Sequence, residues 1–402
     1  MKLALVTAYP PSKVTLNEYA YHLVKHFRQH QDVSEIILLT DITAEAVNTH
    51  LESQGCTVTV LPCWKFNSYK NIFSIMKAVK TTEPDAILFN LQFMKFGDKK
   101  IPAALGLLAP LFCKLSKIPT IVLLHNIMEE VDLEKAGFTN NFIAKKLYTF
   151  IGTTLTKFLL TADIIAVTMQ KYVTILQDKY KATNVVLIPH GTFEIPERPI
   201  YSLQEGPLKI MTFGKFGTYK KVEILIEAVE KLRSKTGIDV EIVIAGTDNP
   251  NARGYLQKME EKYWYVPQLT FTGYVAEQDV PSLFRESAVV VFPYTATTGS
   301  SGVLHQAGSY GKAVVMPDLG DLSLLTKEEG YDGAFFTPED IDSLANAIKK
   351  IITDDTYRIQ LGKTNYQAAT AYPISTIADM YIKQFLKIQT TKWENELIKI
   401  DF

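Results

Sequence analysis

Short runs of aliphatic and β-branched residues alternate with stretches of helical period along the whole chain. In the first half, Leu3–Thr7, Glu35–Leu39, Thr57–Leu61, Ala86–Asn90, Thr120–His125, Ile164–Thr168 and Val185–Ile188 predict strands. Asn17–Arg28, Ile72–Thr81 and Asn141–Leu160 lie between them with apolar residues at helical spacing. The pattern restarts with strands at Lys209–Phe213, Val240–Ala245, Leu269–Thr272, Val289–Phe292, Ala313–Met316 and Ala334–Phe336. Such alternation implies parallel sheets with helices on both faces. The chain therefore reads as α/β, with two doubly wound, Rossmann-like domains of similar size facing one another across a cleft. Thr192–Gly206 carries two prolines and no clear period, and reads as the linker. This gives a first domain over 1–192 and a second over 207–373. The helical pattern that follows Pro373, in 374–402, is placed to cross back to the first domain.

Composition narrows the class. With 402 residues, 47% hydrophobic and 21% charged, the chain is long enough for two cores and has the make-up of a soluble globular protein. A net charge of −1 supplies no basic face, so no nucleic-acid partner is expected. Cys56, Cys63 and Cys113 are scattered, with no C-x-x-C pair, which favours a reduced compartment over a disulfide frame or a zinc site. The opening Met1–Ala8 reads as a first strand rather than a leader, and no run of about 18 apolar residues occurs. The expected location is cytoplasmic. Phe142, Leu147, Phe150 and Phe158 with Lys145, Lys146 and Lys157 could form a basic amphipathic face for peripheral contact with the inner membrane face. A core-packed helix with solvated lysines is the favoured alternative.

The most informative stretch is Phe292–Pro317, which runs from an apolar strand through a loop of Thr, Gly and Ser into a short helix and a second strand. Unpaired N–H groups at such a helix start, with the positive end of its dipole, make an anion site. Gly214 and Gly217 follow the first strand of the second half, and Lys215 and Lys220 place two cations at its carboxyl end. A diphosphate wants that arrangement; a solvated basic loop is the other reading. His125 and His190 each follow an apolar strand directly, where a histidine can donate to a sugar hydroxyl or a phosphate or can be merely structural. The Tyr9–Thr15 loop lacks G-x-G-x-x-G, which disfavours a dinucleotide oxidoreductase. Asp318 and Asp321 follow a strand without forming a D-x-D metal motif, so no metal site is expected, and helix capping is expected of Asp321. No G-x-S-x-G elbow is present.

Taken in order, these residues resemble the retaining glycosyltransferases of the GT-B fold, the large family-four group (glycosyl transferases group 1). The resemblance is strongest from Ile188 to Phe336. Gly214-Lys-Phe-Gly-Thr-Tyr-Lys220 is similar to the family's G-R-L-x-x-x-K, and implies that Gly214, Lys215 and Lys220 hold a donor diphosphate. Phe271-Thr-Gly-Tyr-Val275 is similar to F-x-G-x-V and implies a nucleotide base against Gly273, Tyr274 and Val275. Aligning Gly311–Val315 with G-x-P-V-V puts Gln306 and Thr298 at the two acids of the family's E-x7-E motif, so neither acid is present. Gly299, Ser300, Ser301, Gly302 and Val303 would keep the amides that meet sugar and phosphate, with His190 beside the donor and His125 beside the donor sugar as the catalytic candidate. The implied reaction moves a sugar from a UDP- or GDP-linked donor to a glycan, lipid-linked or small-molecule acceptor. It would retain anomeric configuration and use no metal or other cofactor, with Lys215 and Lys220 stabilising the leaving diphosphate. A non-catalytic nucleotide-sugar-binding or scaffold homologue is the alternative.

Overall fold

The computed structural model describes the chain apart from Lys13, 44–53, 131–140, Glu197, Pro250, Thr297, Thr298 and 401–402, with the backbone alone at Glu277 and 394–400. It forms two units. One is drawn from 1–130, 141–190 and the helix Ile374–Ile400, the other from Gly191–Pro373.

The first unit is built on seven strands: β1 (Lys2–Val6), β2 (Glu35–Asp41), β3 (Thr57–Trp64), β4 (Ala86–Leu91), β5 (Thr120–Leu124), β6 (Ile164–Val167) and β7 (Val185–Leu187). They lie in the order β3-β2-β1-β4-β5-β6-β7. Every pairing is parallel. The second unit has β8 (Leu208–Phe216), β9 (Val240–Asp248), β10 (Leu269–Gly273), β11 (Ser287–Val291), β12 (Val314–Pro317) and β13 (Ala334–Phe336). Their order is β10-β9-β8-β11-β12-β13, again parallel throughout. Both sheets are doubly wound, each with its strand order reversing beside its first strand. Each unit is thus a parallel, Rossmann-like α/β domain.

The central strands are apolar on both faces because helices cover both. In the second unit Ile210, Val289 and Val315 of the sheet pack with Leu225, Ile226, Val229 and Leu232 of the helix Val222–Thr236, and with Leu344, Ile348 and Ile351 of the helix Ile341–Ile352. Each such side chain contributes about 1.5–3 kcal/mol on burial. The helix Val222–Thr236 opens with Glu223, closes with Arg233 and Lys235, and stops at Gly237 in the left-handed region (φ 65°). That charge order suits the helix dipole, and glycine takes the terminating conformation at little cost. In the first unit the helix Ile374–Ile400 lays Tyr381 against Phe27, ring centroids 6.3 Å apart. The Thr192–Gly206 segment packs on the second unit: Tyr366 donates to the Pro196 carbonyl and Arg358 to that of Tyr201.

The helix Phe142–Leu159 corrects one expectation, because its large apolar side chains are not core-packed. Phe142 is 68% and Phe150 69% exposed, and Leu147 is exposed with them. The helix seats instead through Gly152, Thr156 and Leu159. A Cβ on Gly152 would fall 2.8 Å from Met128, so a stripe of small residues sets the contact and turns the bulky ones away. Among the described residues no helix is long and apolar enough to cross a membrane.

One glycine fixes how the β8 and β9 ends meet. Gly246 (φ 137°) stands in register with Gly214, and a Cβ there would lie 1.9 Å from the Gly214 carbonyl oxygen. Gly246→Ala is expected to destabilise the second unit by about 3 kcal/mol or more, read as a lowered denaturant midpoint. A loss below 1 kcal/mol would show that the strand ends can part freely.

Candidate active site

Ligands of open parallel sheets bind beyond the carboxyl ends of the strands where the order reverses. In the second unit that point lies between β8 and β11, and their two loops are fastened together. The Lys221 N–H donates to the Pro293 carbonyl at 2.9 Å and the Thr295 N–H to that of Tyr219 at 2.8 Å. Lys220 and Tyr294 form a bridge between them. The Lys220 ammonium lies 4.6 Å from the Tyr294 ring centroid and 6.0 Å from that of Tyr219. A ring face attracts a cation without neutralising it, and Lys220 makes no ion pair among the described residues. Burial lowers its pKa, with Tyr219 opposing. The result is a half-buried amine held between two aromatic rings at a sheet edge.

Gly214 makes that position possible. A Cβ there would lie 2.9 Å from the Lys220 Nζ, and the φ of 137° at this position is one that glycine adopts without strain. Lys215 sits on β8 itself with its side chain exposed.

The loop after β11 supplies the amides. Ser301 caps the helix Gly302–Ser309, its hydroxyl accepting from the Leu304 N–H. The N–H groups of Ser300, Ser301, Gly302 and Val303 make no hydrogen bond among the described residues. Those are the donors a phosphate would take. The Gly299 N–H is the exception: it donates to Asp321 Oδ2 at 2.9 Å. Asp321, in the first turn of the helix whose N-cap is Leu319, thereby holds the loop. Thr298 lies outside the described residues. Gln306 is half-buried on the helix that the loop opens. Gly273 (φ 67°) ends β10 in open space, Tyr274 beside it is 82% exposed and Val275 is half-buried. They occupy the same sheet edge, two strands from β8. Among the described residues no group of three His, Cys, Asp or Glu side chains could hold a metal ion.

The first unit carries its own polar cluster at the β1/β4/β5 ends. His125, the first residue beyond β5, places Nε2 2.8 Å from Asn90 Oδ1. Asn90 uses its Nδ2 to donate to the Thr7 hydroxyl (3.0 Å) and the Leu16 carbonyl (3.3 Å). Oδ1 is thus an acceptor, which assigns the Nε2–H tautomer to His125. Burial, and after it the Lys95 ammonium, brings His125 down to about 3, so the ring is neutral. His190 is buried, and the Tyr19 ring stands edge-on to both histidines, at 4.6 Å from His125 and 4.9 Å from His190. Lys95 is buried below the Tyr9–Thr15 loop. Its ammonium donates to the Thr15 carbonyl at 2.7 Å, while Gln92 donates to the Thr15 hydroxyl. Ser12 donates to Asp41 at 2.6 Å, tying the same loop to β2. Polar side chains from strand ends thus do for this loop what paired glycines would do elsewhere.

Sequence reasoning found the two histidines, Gly214, Lys220 and the amide loop. It missed the partners: Tyr219 and Tyr294 around the cation, Asn90 and Tyr19 around the histidines, and Lys95. The only linear signal for the tyrosine pair is an aromatic next to Lys220 and another ending Phe292-Pro-Tyr294.

Residues 207–354, the greater part of the second unit, match the family Glycosyl transferases group 1. Over 187 residues the chain is 27% identical to the alpha-D-kanosaminyltransferase of Streptomyces kanamyceticus, a match covering 46% of each protein. Over 188 residues it is 21% identical to the serotype-specific mannosyltransferase WbdA of Escherichia coli, covering 46% of this chain and 23% of the relative. The chain thus spans less than half the length of these curated relatives. The fold is shared along almost its full length with HepE of Anabaena in complex with UDP (TM-score 0.66, 18% identity, 96% of this chain and 99% of that one). The same holds for the sucrose-phosphate synthase of Thermosynechococcus elongatus (TM-score 0.71, 17% identity, 97% and 100%).

Burial lowers the Lys95 pKa to about 7, with Asp41 opposing, against about 10.4 for an exposed lysine. Between these values the unfolded chain binds the extra proton, so this group makes stability rise with pH from about 7 toward 10. Lys95→Met is expected to abolish that rise, measured as the difference between unfolding free energies at pH 7 and pH 9. An equal difference in both proteins would refute the shift.

Proposed function

We propose that the protein is a glycosyltransferase that takes a sugar from a nucleotide-sugar donor bound by its second unit. The observation that carries this reading is the Lys220 ammonium, half-buried between Tyr219 and Tyr294 without an ion pair among the described residues. The free amides of Ser300–Val303 supply a second set of donors on the same sheet edge. Glycosyl transfer needs negative charge to build on the departing diphosphate. A fixed, half-buried cation joined by helix-start amides lowers the energy of that charge without reorganising. The family match over 207–354 and the UDP held by HepE favour a uridine or guanosine diphosphate sugar. Gln306 can meet the ribose hydroxyls in place of an acid, and Gly273–Val275 offer backbone and an exposed ring to the base.

The acceptor, a glycan, a glycolipid or a small molecule, is assigned to the first unit. A neutral His125 whose Nε2–H is committed to Asn90 leaves Nδ1 to accept a hydrogen bond from a sugar hydroxyl. Retention of configuration and independence from metal are part of the same proposal, with Lys220 and the amides taking the part a divalent cation plays elsewhere.

The test is nucleotide binding and turnover. UDP or GDP should raise the thermal midpoint of the wild-type protein, and Lys220→Ala should weaken that binding about 10- to 100-fold, the worth of about 1.4–2.7 kcal/mol. His125→Ala should leave nucleotide binding intact and lower transfer. Transfer should persist in excess EDTA. Tight binding without turnover over an acceptor panel would favour a non-catalytic binding subunit; loss of turnover in EDTA would overturn metal independence alone.

A further inference from the structure

The loop that presents the free amides is gripped from below by one helix, Gly320–Glu329, at both of its ends. At the start of that helix Asp321, buried, accepts the Gly299 N–H at 2.9 Å. At its finish Glu329 Oε2 lies 2.8 Å from His305 Nε2. The other ring nitrogen, Nδ1, lies 2.8 Å from the Ser301 carbonyl oxygen. His305 is 2% exposed and sits on the helix that the loop opens, with the Tyr331 ring edge-on at 5.3 Å.

The chemistry of these contacts determines the state of the ring. A carbonyl oxygen can only accept, so Nδ1 must carry a proton; an ionised carboxylate can only accept, so Nε2 must carry one as well. His305 is then an imidazolium paired with Glu329. Burial disfavours that charge, but the Glu329 carboxylate and the Ser301 carbonyl outweigh it and raise the histidine above its ordinary value.

The same contacts set the direction of a peptide plane. In a trans peptide unit the C=O and the following N–H point in opposite directions. The Ser301 carbonyl is held inward by the His305 ring, by the His305 backbone N–H at 3.3 Å and by the Leu304 N–H at 2.9 Å. The Gly302 N–H, which belongs to the same unit and has no partner among the described residues, is thereby aimed outward.

We propose that His305 and Glu329 are positioning residues for nucleotide binding: their ion pair holds the Ser301–Gly302 peptide so that the Gly302 N–H faces the phosphate, while Asp321 fixes the loop at Gly299. This rests on the proposed nucleotide site and deepens it. The helix Gly320–Glu329 is a strap behind the site that touches no ligand.

The test uses the full chain, with UDP and GDP as probes. In Glu329→Met a side chain of similar length carries neither a carboxylate nor an N–H donor, so the ring loses its second proton and one of its two bonds. The dissociation constant of the nucleotide should rise about 10-fold, with KM for the donor following it and kcat at saturating donor within about 2-fold. The thermal midpoint without ligand should move by only a few degrees. If that variant does not fold, His305→Gln serves, since it keeps a donor toward Glu329 and loses the reach to Ser301. In the wild-type protein at pH 7.5, nitrogen NMR of the imidazole should show both His305 nitrogens protonated. A neutral ring, or nucleotide affinity unchanged in the folded variant, would overturn the inference. Failure of the wild-type protein to bind either nucleotide would instead overturn the nucleotide site on which it rests.

Discussion

Each half of this molecule depends on a reversal of strand order within a parallel sheet. Where the order turns, between β8 and β11 in one unit and β1 and β4 in the other, two neighbouring strands end side by side and their chains leave in different directions. The carboxyl edge opens there, and the first residues beyond the strands are the only ones placed to line it. Lys220, Tyr294 and the Gly299–Val303 loop follow from that constraint in the second unit. The Tyr9–Thr15 loop, with Asn90 and His125 below it, follows from it in the first. The two sheets solve the same problem with opposite chemistry: one edge offers a lysine and amides without a partner among the described residues, the other a neutral histidine bonded to Asn90.

The architecture was legible in the sequence because parallel strands covered on both faces are written as unbroken apolar runs. Each of the thirteen strands lies where such a run was read, with ends that move by a few residues. Lys209–Phe213 grows to Leu208–Phe216, since the ladder with β9 continues through Gly214 and Lys215, residues with no apolar pattern to announce it. The helix Phe142–Leu159 was legible in extent but not in orientation. Its buried stripe is made of Gly152, Thr156 and Leu159, whereas a hydrophobic count points to the phenylalanines.

Less of the site could be read. Glycines, lysines and a Ser–Gly loop leave a mark at fixed spacing, so Gly214, Lys220 and Ser301 were found. Their partners lie far off in sequence: Tyr294 is brought to Lys220 by the adjacency of β8 and β11, and Asn90 to His125 by that of β4 and β5. Asp321 shows the limit most clearly. It stands in the first turn of a helix, where an acid commonly caps, yet its carboxylate reaches back to a loop twenty-two residues earlier. No local rule distinguishes the two uses, because the distinction depends on which backbone N–H tertiary packing brings within reach.

The contact between Gly214 and the Lys220 ammonium has a consequence for descent. The missing side chain at position 214 is the space into which a long side chain six residues on is folded back. Enlarging the first sets a Cβ 2.9 Å from the ammonium of the second and meets the strain of a φ of 137°. The two positions form a single inherited character, and their joint identity records whether a descendant has kept the charged edge or given it up.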